Sequence, residues 1–74
     1  MYEITNMIID NHFDIEEVIT VSITHDYKSY SITFNKSDLE VINTWVFEKN
    51  TSFPAVLSES IINSIREDIK VKLN

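Results

Sequence analysis

Between Val18 and Phe34 the chain, VITVSITHDYKSYSITF, changes from apolar to polar at almost every step. Ile19, Val21 and Ile23 fall on one parity and Thr20, Ser22 and Thr24 on the other. Past the middle, Tyr30, Ile32 and Phe34 alternate with Ser29, Ser31 and Thr33. Strand side chains point alternately to opposite faces, so one face of this segment is apolar and the other carries hydroxyls. Most of the residues are β-branched or aromatic, which suits a pleated, half-buried surface. An antiparallel hairpin follows, with His25-Asp26-Tyr27-Lys28 as a four-residue loop around a type I turn. This loop needs less positive-φ chemistry than a two-residue turn, and the chain has no glycine to supply it. The register then sets Thr24 opposite Ser29, Ile23 opposite Tyr30, Val21 opposite Ile32 and Ile19 opposite Phe34, with the three apolar pairs on the core face.

The flanking segments read as helices. Ile4, Met7 and Ile8, with Ile9 beside them, make an apolar stripe at helical spacing, predicting a short amphipathic helix from Tyr2 to Asn11. Asn11 and Asp14 supply turn chemistry, and Asp14 with Glu17 forms a capping pair for one further turn. Ser37 followed by Glu40 is a capping box, so a second helix begins there and runs to Lys49 or Asn50. Leu39, Ile42 and Val46 share one face of it, with Val41 and Trp45 to one side and Phe47 to the other. So apolar a helix needs cover beyond one hairpin, from another helix, a second copy or a partner. Pro54 opens a last helix whose stripe is Leu57, Ile61, Ile62, Ile65 and Ile69. Ile69 to Leu73 fits either the end of that helix or an edge strand guarded by Lys70 and Lys72, and the helix is preferred. The expected architecture is one α+β domain over residues 1–74: an N-terminal helix, an antiparallel β-hairpin, and two C-terminal helices packed on the hairpin's apolar face.

Composition removes several chemistries. Without cysteine there is no disulfide, thiol nucleophile or thiolate metal site. Without glycine, phosphate-cradling loops and dinucleotide fingerprints are not available. Asp10 to Glu16 spaces its ligand atoms somewhat like a calcium loop, but it lacks the glycine for the sharp turn, and Glu16 comes too early for the closing acid. His12 and His25 would need a third ligand to hold a metal. Glu16 and Glu17 are adjacent, so they diverge on any regular element and do not form an acid–base pair. No metal, no cofactor and no enzyme activity are expected. There is neither a bilayer-length apolar run nor a secretory leader, which makes a soluble cytoplasmic protein the expectation.

The charge is segregated. The net charge is −6, and Met1 to Tyr27 holds six acids (Glu3, Asp10, Asp14, Glu16, Glu17 and Asp26) with no lysine or arginine. From Lys28 onward six acids balance six bases. A one-signed surface attracts basic partners and repels nucleic acid. The expected partner surface is therefore these six acids with Tyr27 as an aromatic anchor. It faces the basic surface of a nucleic-acid-binding protein, with no direct nucleic-acid contact and no membrane. The alternative is a homodimeric structural or regulatory subunit joined through Val41, Trp45 and Phe47, aromatics left outside a small core being natural interface anchors.

An acidic opening helix, the hairpin ITVSITHDYKSYSITF, the following SDLEVINTWVF helix and one more helix together resemble the small acidic inhibitors made by bacteriophages, particularly anti-CRISPR proteins. Phage inhibitors of uracil-DNA glycosylase and bacteriocin immunity proteins are similar in size and acidity. The resemblance implies an anti-defence inhibitor, acting in the host cytoplasm, that occludes a nucleic-acid site with carboxylates standing in for phosphates.

Overall fold

A computed structural model describes residues 2–11 and 17–73. Five strands, β1 (Tyr2–Asn11), β2 (Glu17–His25), β3 (Lys28–Asn35), β4 (Val41–Glu48) and β5 (Thr51–Pro54), precede one helix, α1 (Glu59–Leu73). The strands pair with their sequence neighbours, all antiparallel, in the order β1-β2-β3-β4-β5. The meander carries α1 across one face, and among the described residues nothing covers the other.

The hairpin register is as the alternation predicts: Thr24 pairs with Ser29, Ile23 with Tyr30, Val21 with Ile32 and Ile19 with Phe34. The loop is shorter than expected. His25 pairs with Lys28, and Asp26 (φ 55°) and Tyr27 (φ 65°) alone make the turn. Two successive positive φ values define a type I′ turn, whose twist matches that of the strands it joins. Lys49 (φ 49°) and Asn50 (φ 65°) do the same between β4 and β5. The chain therefore makes two such turns from residues with a Cβ.

The expected helix over Tyr2–Asn11 is instead strand β1. Its register on β2 slips between Ile4 and Asn6, leaving Thr5 as an extra residue whose hydroxyl donates to the Ser22 carbonyl at 3.1 Å. A bulge resets the parity of a strand. Ile4 and Met7, three apart, consequently both pack against the core below α1, a spacing that resembles a helical stripe. The capping pair proposed for Asp14 and Glu17 lies partly outside the described residues; Glu17 itself begins β2.

The second expected helix is also absent. Ser37 and Glu40 belong to a tight loop closed by side chains. The Asn35 Oδ1 accepts from the Ser37 amide at 3.0 Å and from its hydroxyl at 2.8 Å, and the Asp38 Oδ1 accepts from the Glu40 amide at 3.0 Å. Such local bonds offer the backbone an alternative to helix. Leu39, at φ 58°, turns its side chain into the core, and its carbonyl accepts from the Arg66 Nε at 2.8 Å. The residues beyond form β4, which carries a second bulge at Ile42: Thr33 pairs with Asn43, but Phe34 pairs with Val41.

Only the last expected helix forms, beginning at Glu59 rather than Pro54, because Thr51–Pro54 is strand β5. Ser58 caps it, its hydroxyl accepting from the Ile61 amide at 3.4 Å. Glu59 in the first turn and Lys70 and Lys72 in the last complement the helix dipole. The helix continues through Leu73, so Ile69–Leu73 is not an edge strand. Ile62, Ile65 and Ile69 are buried against Ile19, Val21, Ile23, Ile32, Phe34 and Leu39. The core is thus one helical stripe on the apolar face of β2 and β3, with Tyr2, Ile4, Met7, Tyr30 and Val41 closing its sides.

Candidate functional site: the uncovered sheet face

The cross-strand pairs determine what the uncovered face displays. One row runs Ile8, Thr20, Thr33, Asn43; the next runs Asn6, Ser22, Ser31, Trp45, Pro54; a third runs Glu3, Thr24, Ser29, Phe47, Ser52. Hydroxyls line β2 and β3, and the Thr20 and Thr33 hydroxyls meet at 3.5 Å. Trp45 and Phe47 stand on the far side of them, 38% and 50% exposed, with Ile42 at the bulge also half exposed. At strand spacings of about 4.8 Å the face is roughly 20 Å wide, the size of one side of a small, transient protein interface.

Its charge is the more telling property. Among the described residues, none of the strand positions in these rows is a lysine or arginine. The cations lie elsewhere. Lys28 pairs with Glu48 at 2.9 Å, an acid that holds the ammonium charged to higher pH than usual. Lys36 pairs with Glu17, Lys70 with Glu67, and Arg66 is bonded to Leu39 and Asn63. Lys49 sits in the β4–β5 turn.

The acids expected to form one surface are divided between two ends of the sheet. Glu3 pairs with Thr24, which brings it to the end where Asp26 and the fully exposed Tyr27 make the β2–β3 turn. Asp10, opposite Val18, and Glu17, ion-paired to Lys36, lie at the other end. About seven strand steps, roughly 23 Å, separate the two groups. Asp14 and Glu16 are outside the described residues, as are His12 and most of the calcium-like segment. Of the aromatic-face residues, Trp45 and Phe47 share the uncovered face, whereas Val41 pairs with Phe34 and packs beside the core on the helix side. The bulge at Ile42 accounts for the difference.

Among the described residues no three His, Asp or Glu side chains are placed to hold a metal ion, and no buried side-chain nitrogen or oxygen lacks a hydrogen-bond partner. His25 lies against Tyr30, ring centroids 6.3 Å apart. Among the described residues no helix is long and apolar enough to cross a membrane. Sequence patterning set Ile8 in a helical stripe and Pro54 at a helix start and gave Asn43 no part, whereas strand pairing places all three on this face. The hydroxyl alternation was its visible signal, but by itself it indicated nothing more than a solvated surface. Comparison with protein-family models, curated proteins and solved structures gave no significant match.

Proposed function

We propose that the protein is a non-enzymatic binding module that covers the basic surface of a nucleic-acid-handling protein and so antagonises it. The observation that carries this reading is the uncovered sheet face, which presents Trp45 and Phe47 next to a field of hydroxyls, with Glu3 at its margin and no cation among its described positions. In a chain of net charge −6, the acids at the two ends of β1 and β2 draw in a basic partner by long-range attraction. The aromatics then supply desolvated anchors, and the hydroxyls exchange water for polar groups of the partner. Because the acid groups are separated along the sheet, the contact extends over its length and is not confined to one acidic patch. A phage-borne inhibitor working in the host cytoplasm is the biological setting in which such a module fits best.

The test uses the intact chain as bait in its source cell, beside a Trp45→Ala/Phe47→Ala variant of unchanged fold. The reading expects the native bait to retain a basic nucleic-acid-binding protein that the variant does not retain. Added nucleic acid should displace it. Equal retention by both baits would overturn the assignment of the face. A captured acidic or membrane protein would overturn the assignment of the partner.

A further inference from the structure

The sheet has two edges, and they differ. β5 is four residues long and ends at Pro54, which has no amide hydrogen to donate. β1 is ten residues long, and among the described residues no strand pairs with its outer side. Its first half is protected by the Thr5 bulge, a common way of spoiling an edge. Its second half is regular, and Ile8 and Ile9 are 47% and 41% exposed there. Ile8 pairs with Thr20 and so belongs to the uncovered face, whereas Ile9 pairs with Ile19 and belongs to the helix side. This edge therefore has an exposed isoleucine on each face of it. The last turn of α1 ends nearby: Asp68 and Lys72 line a hollow with Ile4 and Met7, and Val71 and Leu73 remain exposed.

We infer that this edge joins a second copy of the chain, β1 pairing antiparallel with β1 about a two-fold axis at Ile8 to form a continuous ten-stranded sheet. The sequence is self-complementary in that register. Ile8 lies against the partner's Ile8, Met7 against the partner's Ile9, and Asp10 against the partner's Asn6. The Ile8 pair and the Met7–Ile9 pairs each keep to one face, and the register sets no acid opposite another. Full overlap of Tyr2–Asn11 would instead set Glu3 against the partner's Asp10 and bring the bulges into the ladder, which selects against it. The two-fold places both helices on one side and joins the two uncovered faces on the other. The second copy thus doubles the partner surface without covering it.

Sedimentation of the native chain over a concentration series, with two substitutions, tests this. The dimer should persist in Trp45→Ala and should dissociate at least tenfold more readily in Ile8→Glu, which sets two carboxylates against each other at the axis. Circular dichroism checks that the variant is folded. Ile8→Cys supplies an independent reading, because directly opposed residues are close enough for a disulfide and the chain has no other cysteine. Mild oxidation should give a covalent dimer in high yield, and Ser31→Cys, in the middle of the face, should not. A native chain that is monomeric at every concentration would overturn the inference. So would a dimer lost in Trp45→Ala and kept in Ile8→Glu, or equal cross-linking of the two cysteine variants.

Discussion

Tyr2 joins the first strand to the helix through a single hydroxyl. Its phenol donates to the Asp68 Oδ2 at 2.6 Å, and burial together with that carboxylate pushes its pKa up to about 12 from the usual 10. A group that holds its proton more tightly when folded stabilises the fold fully below its unfolded pKa. That contribution is lost as pH rises through 10 toward 12. Tyr2→Phe should therefore lower stability by about 1 kcal/mol near neutrality. The gap in melting temperature between native and variant chains should narrow above pH 10, whereas a constant gap would show that the bond contributes nothing. Tyr27 gives an opposite case. Its side chain is fully exposed while its backbone sits at φ 65°, a conformation that costs a residue with a Cβ about 1–2 kcal/mol. Glycine removes that cost but gives the unfolded chain about 0.4–1 kcal/mol of extra entropy. Tyr27→Gly should thus raise the midpoint of urea unfolding slightly, by up to about 1 kcal/mol of stability.

Among the elements, the β2–β3 hairpin was legible from sequence because its polarity alternates without interruption and its turn is symmetric about residues 26 and 27. The same pairs therefore meet whether two or four residues make the loop. β1 and β4 were not legible, and each for a local reason. The extra Thr5 turns Ile4 and Met7 to one side, and the extra Ile42 does the same for Val41 and Thr44. Both spacings are those of a helix face, so a bulged strand and an amphipathic helix leave similar marks on a short window. The Ser37–Glu40 pair misled because its neighbours Asn35 and Asp38 capture the amides that a helix would need. That loop makes a prediction of its own. Asn35→Ala removes the acceptor of two hydrogen bonds and should cost about 1–2 kcal/mol, read as a lower thermal midpoint. No loss would mean that the Asp38–Glu40 bond, the backbone bonds of Asn35 to Leu39 and Glu40, and the Arg66 anchor hold the loop without the Asn35 side chain. Of the candidate surface, Trp45 and Phe47 were visible as aromatics left outside a small core. Which face they occupy was not, since it depends on the strand pairing.

At the scale of the molecule, one helix covers one face of five strands, and chemistry divides the same way. The core, all three described ion pairs and the Arg66 anchor lie on the helix side, in the turns or on α1 itself, while Trp45, Phe47 and the alternating hydroxyls of β2 and β3 occupy the uncovered side. Steering by net charge predicts that association with a basic partner slows as salt rises from about 50 to 500 mM, with dissociation affected less. The Trp45→Ala/Phe47→Ala variant should show the reverse, near-native association and faster dissociation. The most direct measurement is the affinity of the purified partner for the native chain and for this double variant, taken with and without competing nucleic acid. The account predicts at least a tenfold weaker complex for the variant and mutual exclusion between the native chain and nucleic acid. Unchanged affinity in the variant, or a ternary complex holding both protein and nucleic acid, would contradict it.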